Sequence, residues 1–238
     1  MEMSQFHYLP LAPAYFAILL IPFLIVFGVL MTLRYAYLSL GVSPSAALLL
    51  LFGSLIGSYF NIPVYQLRPE HVVSNQVREF FGMYYVVPEV ENWPATWIAV
   101  NVGGAVIPTI MSIYLLFARG LWIRGSIAIA IVAVILHSLA EPVPGLGIAV
   151  PIFLPVVVTA IVSLLLAREN AAPLAYISGS MGTLIGADLT NLGQVRGLGA
   201  PVASIGGAGT FDGIFLTGIL AVLLASLYHP ARHLAQPP

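Results

Sequence analysis

The chain contains no cysteine and no lysine, and aspartate occurs only twice in its 238 residues. Without cysteine there is no disulfide, no thiolate metal site and no cysteine nucleophile. Without lysine there is no Schiff-base chemistry. Charge of either sign is scarce: 7% of residues are charged, against about 25% in ordinary soluble domains, so a water-facing surface cannot be built from this composition. A formal net charge of −1 leaves no basic surface for phosphates and excludes a nucleic-acid partner. Met1 to Pro13 offers Glu2 and His7 but no basic region, so no cleavable signal peptide is expected.

What is abundant is apolar. Hydrophobic residues make up 60% of the chain and mean hydropathy is +1.00. Apolar runs bounded by arginine, proline or glycine predict an all-α polytopic membrane protein with a single transmembrane domain, 1–238. Seven spans are expected at about 14–33, 45–65, 95–117, 122–140, 151–167, 173–187 and 212–228. Arg34, Arg119, Arg124, Arg168 and Arg232 fall on one side of that topology, and Arg68, Arg78 and Arg196 on the other. The positive-inside rule then puts the N-terminus out and the C-terminus in. The polar loop from Gln66 to Trp93, rich in aromatic and β-branched residues, reads as an interfacial hairpin or surface helix, or as a lid.

Four landmarks recur in order. Pro22 and Pro155 each precede the arginine that ends a span; Pro44 and Pro173 precede "GSLIG" and "GTLIG"; and "NVGGAVIPTI" lines up with "SIGGAGTFDG". This predicts a parallel 3+1+3 duplication: repeat 1 at about 14–117, a linker helix at about 122–140 and repeat 2 at about 151–228. The arrangement looks like that of the SWEET sugar carriers in architecture, without their Pro-Gln dipeptide.

Superposing the halves sets Asp188 against Tyr59 and Asp212 against Thr109, so the second half carries two carboxylates that the first does without. An intramembrane carboxylate costs about 3 kcal/mol at mid-bilayer and marks a functional site by default. Asp188 ends a span, where the helix dipole disfavours negative charge unless a cation or proton compensates. Arg196 is either that cation or an ordinary loop arginine. Asp212 is either part of the site or the N-cap of the last span. His137 and Glu141, at i and i+4, are expected to share a helix face, as a satisfied hydrogen bond or a proton relay. Asn101 and Asn191 fall at the same level. The spacing of His137, Glu141 and an aspartate matches no strong metal motif, so neither metal nor cofactor is expected. Two Gly/Pro-rich segments, "EPVPGLGIAVP" and the stretch between the aspartates, read as re-entrant backbone around a cavity.

"GTLIGADLTNLG" followed by "GAPVASIGGAGTFDGIFLTG" resembles an uncharacterised, domain-of-unknown-function family of bacterial and archaeal multi-pass membrane proteins, a resemblance that implies a multi-pass protein of a prokaryotic inner or plasma membrane and supplies no activity. "GAGTFDG" also resembles the Gly-x-Gly-Asp motif of intramembrane aspartyl proteases, with Thr210 and Phe211 intervening; that resemblance implies a dyad of Asp188 and Asp212. Two functions therefore stand open, leaving its status as an enzyme undecided. One is a transporter or channel handling a proton, cation or small polar solute at Asp188, Asp212, Glu141, His137, Asn101, Asn191 and Arg196. The other is an aspartyl hydrolase using the two aspartates. A non-catalytic assembly subunit is the third alternative. The expected partners are the bilayer, a small solute or membrane substrate, and a second copy of the chain.

Overall fold

The computed structural model describes residues 13–68, 70–80, 83–93, 95–143, 147–151, 153–195, 201–207 and 213–228. Among them are seven α-helices: α1 (Pro13–Ser39), α2 (Pro44–Gly57), α3 (Ile107–Ala118), α4 (Trp122–Leu139), α5 (Phe153–Leu166), α6 (Ala171–Thr183) and α7 (Gly213–Tyr228). Leucine-, alanine- and isoleucine-rich runs favour helix here, and local signals set the ends. The Ser43 hydroxyl, for example, caps α2 by accepting from the Ala46 N–H, and Pro44 supplies the first helical φ. Two helical segments, Leu20–Ser39 and Trp122–Leu139, are long and apolar enough to cross a membrane.

Helix α6 occupies the centre, packed against α3, α4, α5 and α7, while α1 joins the assembly through α2 and α7. Close α6–α7 contact depends on glycine: a Cβ on Gly179 would lie 3.2 Å from the Gly218 Cα. The core includes Tyr37, Leu40, Leu51, Leu115, Leu174, Tyr176, Ile177 and Ile219.

Two of the expected spans are only partly helical. The 45–65 run leaves the helix after Gly57 and continues as strand β1 (Asn61–Gln66). The 95–117 run begins as strand β4 (Trp97–Asn101) before α3. The reason is local chemistry. Pro63 cannot continue an α-helix without losing a hydrogen bond, and Trp97, Ile98 and Val100 favour extended backbone as much as they favour a membrane. Pro63 sits on an edge strand, beside a register shift between Pro63 and Tyr65, where its missing N–H costs least.

β1 pairs antiparallel with β4, and β4 pairs parallel with β7 (Val202–Ile205), giving the order β1-β4-β7. The polar loop is a hairpin of β2 (Glu70–Phe80) and β3 (Met83–Trp93), in register from Glu70↔Trp93 to Phe80↔Met83. The segment after α4 forms a second hairpin, β5 (Glu141–Val143) with β6 (Gly147–Ala149).

The landmarks that repeat in sequence do not share equivalent partners. Gly57 packs on Gly103, whereas its counterpart Gly186 packs on Ala133 of α4. α6 lies along α7, whereas α2 meets the third helix mainly through the turn that precedes it.

Candidate functional site

Two π-turns meet beside the three-stranded sheet. The first, Val102–Val106, leads from β4 into α3; the second, Leu184–Asp188, ends α6. Such widened turns concentrate at functional positions because they redirect side chains that a regular helix would stack. Ala105 of the first turn, Leu184 of the second and Ile214 at the start of α7 form a small buried apolar cluster that holds them together.

Asn101 explains the first turn. Its side chain is fully buried; Oδ1 accepts from the Gly104 N–H at 2.8 Å, capping the turn. Nδ2 donates to the Ser58 carbonyl at 2.7 Å and to Asn61 Oδ1 at 3.1 Å. One amide thus ties the end of α2, the start of β1 and the start of the α3 turn. Replacing Asn101 by alanine leaves buried backbone groups unpaired and is expected to cost about 2–4 kcal/mol of stability, read as a lowered unfolding midpoint in detergent.

Asp188 closes the second turn and is half-buried. Its Oδ2 accepts from the Gly206 N–H at 2.7 Å. This backbone donor offsets part of the unfavourable placement at a helix C-terminus. Gly206 sits at φ +93°, open to glycine at little cost, and its carbonyl lies where a Cβ on Gly104 would be. The network continues through Ser204, whose Oγ is 2.6 Å from Asn61 Oδ1 and 2.5 Å from the Gly207 carbonyl, its single proton serving one at a time. Asp188, Gly206, Ser204, Asn61 and Asn101 therefore form one polar seam across β1, β4, β7 and both π-turns.

His137 reaches the same region from α4. Its Nδ1 lies 2.9 Å from Thr190 Oγ1, and Thr190 donates to the Gly186 carbonyl at 2.8 Å. Because the threonine proton is committed to Gly186, Nδ1–H of His137 is the donor in this pair. Asn191 is buried and donates to the carbonyls of Gly186 and Ala187, at 3.0 and 2.9 Å; its Oδ1 accepts from Gln194. It fastens the 3₁₀ turn Leu189–Gln194 to the end of the π-turn.

Glu141 does not share a helix face with His137. α4 ends at Leu139, Ala140 is extended (φ −78°, ψ 124°), and Glu141 is an exposed residue of β5. The i, i+4 geometry fails because Pro142 restricts the residue before it to extended backbone. Asp212 and Arg196 lie outside the described residues. The structure thus gathers Asp188, Asn101, Asn191 and His137 around the π-turns, and adds Asn61, Thr190 and Ser204. Asn61 had a legible signal, an amide isolated in an apolar run; Thr190 and Ser204 had none beyond their nearness to Asp188.

Compared with known proteins, residues 55–224 match a family model described as Protein of unknown function (DUF1614). That span contains every residue of the seam. No curated protein and no solved structure matches the chain.

Proposed function

We propose that this chain, which belongs to the Protein of unknown function (DUF1614) family, is a multi-pass membrane protein of transporter or channel type that passes a proton, cation or small polar solute by way of Asp188. The observation that carries the reading is an inverted distribution of polarity. Leu49, Ile123, Phe153, Leu165 and Leu227 are each more than 70% exposed, and Ile21, Phe23, Leu24, Ile25, Val26 and Phe27 of α1 are exposed around the helix. Meanwhile Ser112, Thr159, Ser163 and Ser178 have no exposed surface. In water such apolar patches drive association. In lipid they are the solvated face, and small hydroxyl residues between helices are the usual packing material.

Transport is supported by the broken helices. Interrupted helices whose ends converge on polar side chains are how transporters bind solutes at membrane depth, and irregular backbone there must be packed in protein or line a watery space. Both π-turns and the sheet converge on Asp188 in this manner. The arginine distribution orients the chain N-out, with this seam toward the outer leaflet. The parallel pairing of β4 with β7, each followed by a glycine pair or glycine-rich turn, supports a 3+1+3 duplication.

An aspartyl hydrolase is the second reading. Its support is that α6, which leads to Asp188, packs along α7, which begins at Gly213, the residue after Asp212. The two readings separate in one preparation. Purified protein in sealed phosphatidylcholine/phosphatidylglycerol vesicles is expected to pass protons or alkali cations above the leak of empty vesicles, and to resist carbonate extraction. Cleavage of a helical peptide in the same vesicles with no flux of any solute tried would replace transport by hydrolysis.

A further inference from the structure

The net charge of −1 predicts no basic surface, yet the fold makes one by segregating its charges. α2 ends where Gly57 packs on Gly103, and α4 ends where Ala133 packs on Gly186 and His137 meets Thr190. α6 runs directly into the second π-turn. The starts of α2, α4 and α6 therefore lie at the end of the bundle away from the Asp188 seam, together with the three short turns that precede them. That end carries Arg34 of α1, Arg119 and Arg124 on either side of the α3–α4 turn, and Arg168 before α6. Among the described residues, Glu169 is the one carboxylate beside them.

These four arginines are poorly compensated from within the chain. Among the described residues none is ion-paired, and the one hydrogen bond from their side chains runs from Arg119 Nη2 to the Leu40 carbonyl, at 2.9 Å. That bond ties the α1–α2 turn to the α3–α4 turn. Arg34 is half-buried and its Nε is enclosed without a partner, so its stem is held in protein and its charge is left to the terminal nitrogens. Arg124 lies in the first turn of α4, which has no acidic residue and no side-chain cap. A cation at that pole of a helix is unfavourable until an anion offsets it.

The surroundings of the arginines are apolar. Phe117 and Trp122 flank Arg119 and meet edge to face, with ring centroids 4.1 Å apart, and both are exposed. Ile123 next to Arg124, and Leu165 one turn before Arg168, are exposed too. A free anion would use only the guanidinium groups. An anion carrying hydrocarbon uses both the charges and this collar, and tryptophan at such a level is a usual headgroup anchor.

Resting on the multi-pass membrane reading, we infer that this end of the bundle binds anionic glycerophospholipid, with the arginines on its phosphodiester and the apolar collar on its acyl chains. Guanidinium suits this because its planar fork matches phosphate oxygens in pairs. Phosphatidylcholine carries the same phosphodiester, but its own ammonium group neutralises it, so the preference follows net headgroup charge. Lipid bound to the folded chain alone also raises its stability.

The test titrates full-length protein in dodecyl maltoside micelles with phosphatidylglycerol or phosphatidylcholine, counting bound lipid by native mass spectrometry and following thermal unfolding. Phosphatidylglycerol is expected to bind and to raise the unfolding midpoint with concentration; phosphatidylcholine is expected to do neither. Arg124 and Arg168 are exposed, so the double variant Arg124→Gln/Arg168→Gln is expected to fold as wild type. Its affinity for phosphatidylglycerol is expected to fall about 25-fold, at about fivefold per arginine near an anionic lipid surface. Arg68→Gln, an exposed arginine at the seam end, is expected to bind as wild type. If the double variant misfolds, each single variant tests its own fivefold loss. Equal affinity for the two lipids, or unchanged affinity in the folded double variant, overturns the inference. So does inorganic phosphate that raises the midpoint as far as phosphatidylglycerol at the same concentration, which would make the site one for a free anion. Carbonate extraction separates this inference from the reading beneath it. Protein that washes off vesicles overturns both, whereas protein that stays in the bilayer without lipid preference overturns the lipid site alone.

Discussion

Asp188→Asn protein is expected to fold as wild type and to pass its solute about 100-fold more slowly, at the lower end of what a positioned proton-carrying group contributes. Asparagine keeps an oxygen where Oδ2 accepts from the Gly206 N–H at 2.7 Å, so the link between the second π-turn and the β7 end survives. What disappears is the charge and the ability to take up and release a proton. Asp188→Leu removes the acceptor as well. Gly206 is buried, and leaving its N–H unpaired is expected to cost a further 1–3 kcal/mol or so. The pair therefore splits function from fold: flux falls in both, and the unfolding midpoint falls clearly only in the leucine variant. Flux in reconstituted vesicles and thermal unfolding in detergent are the two readouts. A normal rate in Asp188→Asn would remove the carboxylate from the mechanism and, with it, the case for transport through this seam.

The helices were legible in the sequence wherever an apolar run was uniform. α4, α5 and α7 lie within one or two residues of the runs that predict them, because leucine, isoleucine and alanine flanked by arginine, proline or glycine admit few other structures. Residues 58–66 and 97–106 were not legible in this way. Hydropathy is blind to the difference between a buried helix and an apolar strand, and here Asn61, Pro63, Trp97 and Val100 decide it through hydrogen bonding and β preference. The π-turns have no periodic signature at all; each arises from a tertiary contact, Asn101 holding Ser58 and Asp188 holding Gly206. Glu141 is a different case. Its spacing from His137 fits a helix face, but Pro142 holds the residue before it in extended backbone and the helix stops at Leu139, so a proline visible in the sequence outweighs the spacing. The prominence of Asp188 was legible from its rarity; its neighbours in the seam come from segments up to 127 residues away, Asn61 being the farthest (188 − 61), and spacing does not encode them.

The largest expected loss of stability belongs to a residue with no chemistry of its own. At Gly104 a Cβ would run into the Gly206 carbonyl oxygen, with the Gly206 carbonyl carbon 2.9 Å away. Both sides of the contact are backbone, so no rotamer change relieves it. Gly206 cannot yield easily either, since its own Cβ position is 2.7 Å from Ala105 and its φ is +93°. Gly104→Val is therefore expected to cost about 3 kcal/mol or more, the range reached when overpacking meets rigid backbone. Because Gly206 also donates to Asp188, the variant is expected to lose flux with the carboxylate intact. Gly28 of α1 supplies the control. A Cβ there meets nothing within 4 Å, so Gly28→Ala is expected to stabilise the helix by about 0.5–1 kcal/mol. Opposite signs at two glycines of one chain, measured by thermal unfolding in the same detergent, isolate the approach of the first π-turn to β7 as the cause. Equal effects at both positions would mean that the first π-turn and the end of β7 do not approach as closely as the geometry requires, and Asp188 would then have lost the support that orients it.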